Sequence, residues 1–374
     1  MRILHTSDWH LGISLHHKSL LEEQKECIEQ IVALAEDEEI DILLLAGDVF
    51  DSRVASSEAI ALYSSAVTRL CQQRKKEMVV IAGNHDGAAR LASCSALLEK
   101  SGMYVTGKLP ETIRPLCKDN VELFALPYFS IETVKNRHPD KRISSYDDAM
   151  ACLCEEIRGQ WTTGCYHILV AHAYVTGAAL SESDQAALLG GAQQIDAAVF
   201  TGFDYVALGH LHRPQQVASN VYYSGSPYAY SFGEAGQKKS VCIFDTESGD
   251  VRRVALSPSR NLRVVRGSLQ EILVAADKEQ TEDYVKLEII DQPAGMELLE
   301  LLRRNYPNLL SVAGKNTLPD EIQSTLTVEE IEILSPQQIL QKFCKETADF
   351  VPTQQQVSWF CQALAQAENG GDLQ

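Results

Sequence analysis

Asp8 and His10 stand two residues apart at the end of an apolar run, Arg2-Ile3-Leu4-His5-Thr6-Ser7. On extended backbone successive side chains alternate faces, so a carboxylate and an imidazole at i and i+2 point the same way. Such a pair suits a divalent cation. The same grammar returns four times. Leu43-Leu44-Leu45-Ala46-Gly47 runs into Asp48, and Val79-Val80-Ile81-Ala82-Gly83 into Asn84-His85-Asp86. Ile168-Leu169-Val170-Ala171 runs into His172, and Val206-Ala207-Leu208-Gly209 into His210-Leu211-His212. The strand ends thus present Asp8, His10, Asp48, Asn84, His172, His210 and His212 as candidate metal ligands.

Each ligand alone says little. An Asp after a buried strand is commonly a helix cap, and a lone His is commonly a satisfied core or surface residue. The weight lies in the set. Carboxylate and amide oxygens suit Mg or Mn, and imidazole adds affinity for Mn, Fe or Zn. The lack of Cys among the ligands argues against a structural zinc site. Two ions held about 3.5–4 Å apart can activate a water and stabilise charge on phosphoryl oxygens. A group bridging them needs two donor oxygens, which makes Asp48 the natural bridge. Asn84 offers a neutral oxygen that limits over-neutralisation. His85 is placed to protonate a leaving oxygen, while Asp86 either orients it or caps a helix. Gly47, Gly83 and Gly209 each precede a ligand, where the chain must turn sharply off a strand.

The elements that position these residues alternate strand and helix. Helical spacing over 18–37, 57–74, 88–100 and 146–160 separates apolar runs at 41–46, 78–82, 121–126, 166–171 and 204–208, the pattern of parallel βαβ units. Residues 131–145 read as loop, and 173–198 as a long connection over the site. Short β-rich pieces follow at 221–223, 241–244 and 251–256. Around Pro258 the pattern resets. Helices at 268–277 and 295–304 with strands at 284–290 and 325–333 predict a small α/β module. Ser335-Pro336-Gln337-Gln338 is a helix start, with Ser as N-cap and Pro at N1. Ile339, Leu340 and Phe343 follow on one face, and a second helix after Pro352 carries Val357, Phe360, Cys361 and Leu364. These helices either pack on their own domain or dock a partner. The expected domains are 1–258, 259–334 and 335–374.

Bulk properties bound the answer. The 374-residue chain, 45% hydrophobic and 22% charged, has the balance of a soluble globular protein. No apolar run approaches the roughly 20 residues that span a bilayer, and Met1 leads directly into a strand, so a cytoplasmic protein is expected. Ten cysteines without a CxxC pair indicate reduced, mostly buried thiols. A net charge of −18 argues against a nucleic-acid grip through an overall basic surface, although bound metals invert the local field. Lys238, Lys239, Arg252, Arg253, Arg260, Arg263 and Arg266 form a basic stretch, in the first instance a solvated face.

The ordered set Asp8-x-His10, Gly47-Asp48-x-x-Asp51, Gly83-Asn84-His85-Asp86, His172 and Gly209-His210-x-His212 resembles the calcineurin-like metallophosphoesterases. Longer stretches look like the SbcD family, nuclease subunits of bacterial SbcC–SbcD DNA-repair complexes. These are residues 1–12, Ala46-Gly47-Asp48-Val49-Phe50-Asp51, Ala207-Leu208-Gly209-His210-Leu211-His212-Arg213, and Tyr223-Ser224-Gly225-Ser226-Pro227 with Ser231-Phe232. The likeness is dense over 1–260 and looser beyond.

The resemblance implies an α/β (α+β) fold: a four-layer αββα sandwich, a small α/β capping domain that contacts DNA, and C-terminal helices that bind the coiled-coil base of an SMC-like ATPase, SbcC. Asp8, His10, Asp48 and His212 would hold one metal. Asp48, Asn84, His172 and His210 would hold the other, and His85 would be the catalytic histidine. The implied activity is manganese-dependent, ATP-regulated 3′–5′ exonuclease and endonuclease cleavage of double-stranded DNA ends and hairpins, with Mg2+ as the alternative ion. The expected assembly is a heterotetramer built on a homodimer, cytoplasmic and nucleoid-associated. Candidate DNA contacts are His17, Arg252, Arg253, Arg260 and Arg263; His16 reads as a surface residue, and Asp51 stands where some relatives carry a histidine. The rival is a phosphatase or cyclic-nucleotide phosphodiesterase of the same superfamily. Against it, Gly47-Asp48-Val49-Phe50-Asp51-Ser52-Arg53 lacks the Asp-Arg-Gly that follows Gly-Asp in protein phosphatases.

Overall fold

A computed structural model of the chain describes residues 1–181, 194–279, 281–315 and 352–360, with positions 337, 338, 340, 341 and 344. Four parallel strands come first: β1 (Arg2–Thr6), β2 (Ile42–Ala46), β3 (Glu77–Ile81) and β4 (Met103–Thr106). A second group follows: β5 (Leu116–Lys118), β6 (Val121–Leu126), β7 (Tyr166–His172), β8 (Tyr205–Gly209), β9 (Gln215–Ala218) and β10 (Val221–Tyr223). The chain then returns to the first sheet with the hairpin β11 (Ser240–Asp245) and β12 (Val251–Ala255). The two six-stranded sheets run in the orders β12-β11-β1-β2-β3-β4 and β9-β10-β8-β7-β6-β5.

The sheets stack face to face. Ile3, Ile42, Leu44, Val79 and Ile81 from one meet Leu123, Ile168, Val170, Tyr205 and Ala207 from the other. The alternate residues face helices. Leu4, Leu43, Leu45 and Val80 pack under α1 (Leu21–Asp37) and α2 (Ser57–Val67), and Leu169, Ala171, Val206 and Leu208 under α3 (Tyr146–Arg158). Strands buried on both faces must be apolar at every position, which is why they read as unbroken runs. The result is a four-layer αββα sandwich.

A parallel three-stranded sheet forms the module after Pro258: β13 (Leu262–Gly267), β14 (Tyr284–Ile289) and β15 (Leu309–Ala313), connected by α4 (Leu269–Glu279) and α5 (Met296–Asn305). It has its own core of Ile272, Leu287, Ile289, Leu302 and Tyr306, while Leu262 and Tyr284 join the main core.

The chain departs from its predicted elements in several places. Residues 131–145, read as loop, contain the helix Ile131–Arg137, which Ser130 caps by accepting from the Thr133 amide. The segment at 88–100 breaks into short turns, with Cys94 at φ +61° between them. β15 is an unpredicted strand; its half-exposed residues show no clean alternation. The predicted strand at 325–333 lies outside the described residues, as do Ser335, Pro336, Ile339, Phe343, Cys361 and Leu364. Residues 354–360 are helical as expected. The cysteines among the described residues are unpaired and mostly buried.

His5 ties the two sheets together. It is fully buried; Nε2 faces the Leu208 carbonyl at 3.1 Å, and Nδ1 the Tyr205 hydroxyl at 2.9 Å. A neutral ring that donates from Nε2 and accepts at Nδ1 satisfies both, and burial pushes its pKa down to about 3. A folded-state pKa below that of the unfolded chain means the unfolded state binds the extra proton between those values. Stability therefore falls as pH drops from about 6.5 towards 3, by up to about 1.4 kcal/mol per pH unit. Urea titrations across this range should show a shallower acid loss for His5→Gln, and equal slopes would contradict the assignment.

Candidate metal centre

The C-terminal ends of β1, β2 and β3 in one sheet and β7 and β8 in the other meet at one point. β1 stops at Thr6, so Asp8 and His10 do not share a face through strand alternation, as their spacing suggested. They stand in the turn beyond it, at φ +52° and +40°; Asp48 (φ +48°) and His210 (φ +100°) are also left-handed. Left-handed backbone costs a non-glycine residue on the order of 1 kcal/mol or more and persists where surrounding structure holds it. Here the first ligand turn is laced to the second. Asp8 N donates to Gly47 O at 3.0 Å, His10 N to Asp48 O at 2.9 Å and Leu11 N to Val49 O at 3.0 Å.

All seven predicted ligands converge. Asp8, His10 and His212 bring ligand atoms within 4.8 Å of one another, and so do Asp8, Asp48 and His172. His10 Nε2 and His212 Nε2 face each other at 3.2 Å. Asn84 Oδ1 lies 3.0 Å from His172 Nε2 and 3.1 Å from His210 Nδ1. Asp48 Oδ2 sits between the groups, 3.6 Å from His10 Nε2 and 3.3 Å from His172 Nε2. Asp8 Oδ2 is buried without a hydrogen-bond partner, a costly arrangement for a carboxylate unless a cation meets it. The donor set, two carboxylates, an amide oxygen and four imidazoles, fits a pair of divalent ions.

The family model described as calcineurin-like phosphoesterase matches residues 1–214, and one described as type 5 capsule protein repressor C-terminal domain matches 258–348. The chain is 32% identical over 354 residues to the SbcD subunit of the SbcCD nuclease of Staphylococcus epidermidis, covering 93% of this chain and 94% of that relative. The chain belongs to the SbcD family of calcineurin-like phosphoesterases. Among solved structures, a Thermus thermophilus protein aligns with a TM-score of 0.38 and 13% identity, over 68% of this chain and 99% of that one. GAP50, the anchor in the inner membrane complex of Plasmodium, aligns with a TM-score of 0.39 and 13% identity, over 70% of this chain and 90% of its own.

In this SbcD-family chain the candidate ligands are held from behind. His172 Nδ1 meets the Ala46 carbonyl at 2.9 Å, which fixes the tautomer with Nε2 turned to the centre. His212 Nδ1 faces Glu234 Oε1 at 3.4 Å, and Glu234 pairs with the buried Lys239, whose ammonium also donates to the His212 carbonyl at 2.8 Å. Neither Glu234 nor Lys239 was legible: Lys239 counted as one of a basic stretch, and Glu234 sits in an aperiodic Gly-containing loop. The carboxylate of Asp86 accepts from the amides of Gly83 (2.9 Å), Phe50 (3.0 Å) and Val49 (3.1 Å). It therefore staples two ligand loops instead of touching the His85 ring. That ring is held by Asp51, whose carbonyl accepts from His85 Nδ1 at 3.0 Å and whose carboxylate lies 3.5 Å from His10 Nδ1.

The field at the centre is negative. Burial pushes the His172 imidazole down, but Asp48 and Asp8 outweigh it and hold its pKa up at about 9. Burial likewise pushes His10 down, and Asp51, Asp48 and Asp8 raise it above the ordinary value. Burial would raise Asp48, yet the imidazoles of His172, His10 and His85 keep it well below the usual carboxylate range. Burial, reinforced by His172, drives His210 down to about 3, leaving it a neutral imidazole. Carboxylates that draw protons onto neighbouring imidazoles also attract cations.

The candidate DNA contacts do not converge here. Arg252 pairs with Glu38, at the C-terminal end of α1 and the far end of the sheet from the ligands. Arg260 pairs with Glu23 at 3.0 Å and Arg263 with Asp283 at 3.3 Å, both at the junction with the small module. Arg253 stands on the edge strand β12 beside Cys242. His17 is exposed in the loop after the first ligand turn, and His16 packs near Phe232.

Groups behind metal-bound histidines tune affinity about 10–100-fold. Glu234→Gln should therefore bind Mn2+ about 10–100-fold more weakly by isothermal titration, with the fold intact by circular dichroism. Unchanged affinity would remove Glu234 from the site.

Proposed function

We propose that this chain is a two-metal DNA nuclease that cuts double-stranded ends and hairpins, by 3′–5′ exonuclease and endonuclease action, together with an SbcC-like ATPase. The observation that carries this reading is Asp48, set between two ligand groups drawn from both sheets. Asp8, His10, Asp48 and His212 would hold one ion, and Asp48, Asn84, His172 and His210 the other, with Mn2+ preferred over Mg2+ because imidazole is so well represented. Two such ions, when bound, supply a water activated at neutral pH and stabilisation of charge on the phosphoryl oxygens.

The chain's own residues do the rest. His85 donates an Nδ1–H hydrogen bond to the Asp51 carbonyl, which leaves Nε2 as the end that, in the imidazolium form, passes its proton to the leaving oxygen. The His85 amide donates to Asp48 Oδ1 at 2.8 Å, so the loop of the acid is tied to the loop of the bridging carboxylate. Asp86 is a positioning residue that fixes the two loops to each other through three backbone amides. His17, exposed in the turn after the first ligand loop, is the DNA contact of this reading.

The domain reading is 1–258 nuclease, 259–334 cap and 335–374 ATPase-binding segment. Trp359, 60% exposed on a described helix, supports docking of a partner there. Exposed Val54, Ile60 and Leu97 support a homodimer through the helices of that region. Among the described residues no helix is long and apolar enough to cross a membrane; the cytoplasmic, nucleoid-associated setting belongs to this same reading.

The test is cleavage of a blunt DNA end, a hairpin and a small chromogenic phosphodiester with Mn2+, adding the ATPase partner in one arm. Asp48→Ala should abolish turnover of all three. His85→Ala should retain Mn2+ and lose about 10²–10⁴-fold in kcat, the usual weight of general acid catalysis. Cleavage of only the small ester, with the partner present, would overturn the DNA reading.

A further inference from the structure

Two neighbouring side chains in the first turn of α1 reach different parts of the structure. Gln24, fully buried, supports the first ligand turn: Nε2 donates to the carbonyls of Trp9 and His10, both at 2.8 Å, and Oε1 accepts from Gly12 N at 3.0 Å. Glu23, 1% exposed, faces the small module. Its Oε1 accepts from the Tyr284 hydroxyl of β14 at 2.9 Å and from Arg260 Nη1 at 3.0 Å, and its Oε2 is buried with no hydrogen-bond partner. Burying a carboxylate is unfavourable unless it is paired and hydrogen-bonded. The hydrogen bonds that satisfy Glu23 come from the cap and its linker, so its place in the core depends on the cap being seated.

A second string of contacts runs alongside. Tyr228 donates to the Arg260 carbonyl at 3.0 Å. Two residues on, the Tyr230 ring stands edge-on to His10 and His212, with centroids 5.6 and 5.5 Å away, and its hydroxyl donates to Trp9 O. Both strings start at the cap junction and end on the turn that carries His10.

We propose that Glu23 and Gln24 couple cap seating to the first metal-ligand turn, so that a seated cap strengthens metal binding at His10 and bound metal holds the cap down. The proposal rests on the metal-centre reading above and assigns Glu23 as a positioning residue. Coupling of two sites is reciprocal in binding free energy, so either partner can be perturbed and the other read.

The experiment uses the full chain without DNA and titrates Mn2+ calorimetrically into wild type, Tyr284→Phe, Gln24→Ala and the double variant. Tyr284→Phe removes one cap hydrogen bond from Glu23 and touches no ligand. It should weaken one Mn2+ site about fivefold, the low end of typical coupling, and have no further effect once Gln24 is Ala. In the reverse direction, Mn2+ should slow amide exchange in Leu262–Gly267 and Tyr284–Ile289 of wild type, and not of Gln24→Ala. Should Gln24→Ala fail to fold, Gln24→Met removes the same hydrogen bonds with the shape kept. Equal Mn2+ affinity in wild type and Tyr284→Phe, even with a lower melting temperature, overturns the coupling, as does an undiminished Tyr284→Phe effect in the Gln24 variant. Because metal affinity is read without DNA, a protein that binds Mn2+ normally yet fails to cut DNA counts against the nuclease reading alone.

Discussion

Two sheets can share one metal centre only if their strand ends come into contact, and that contact excludes side chains. A Cβ on Gly209 would lie 1.9 Å from the Ala46 carbonyl oxygen, and one on Gly83 would lie 2.2 Å from Asp48 Oδ1. Gly47 adds a left-handed turn at φ +90°, and its Cβ would fall 2.3 Å from His172 Nδ1. The three glycines therefore act mainly by leaving room: neither Gly83 nor Gly209 has a positive φ. Through the space they leave, the ends of β2, β3, β7 and β8 approach closely enough for Asp48 to meet His172 and for Asn84 to meet His210.

That approach concentrates buried charge, and the fold answers it layer by layer. Ligand imidazoles are oriented by a carbonyl (Ala46) or a carboxylate (Glu234), and the carboxylate is answered by a buried ammonium (Lys239). Breaking one partner of a buried pair typically costs several kcal/mol because it strands the other. The strained φ angles of Asp8, His10, Asp48 and His210 belong to the same economy of space: the turns are held by backbone ladders and by Gln24, not by local preference. Strain of this kind concentrates where geometry serves function.

Much of this was legible because doubly buried strands announce themselves as apolar runs and their ends as polar clusters. β2, β3, β7 and β8, and each ligand after them, could be read directly. The turn geometry could not. The i, i+2 spacing of Asp8 and His10 suggested a strand face, while the chain leaves the strand at Thr6 and uses a left-handed turn. The supporting residues were hidden for a different reason. Gln24, Glu234 and Lys239 act through contacts between separate segments, which leave no period or spacing. Asp86 looked like a helix cap or an orienting acid and proved to bind three amides of two loops. β15 is half exposed and short, so its pattern was weak.

The central claim is that this chain holds two ions on either side of one carboxylate. Diffraction from crystals grown with Mn2+, recorded on both sides of the manganese absorption edge, tests it most directly. The account predicts two anomalous peaks about 3.5–4 Å apart, with Asp48 ligating both, His10 and His212 on one, and Asn84, His172 and His210 on the other. A single peak, or two peaks with Asp48 bound to one alone, would contradict it.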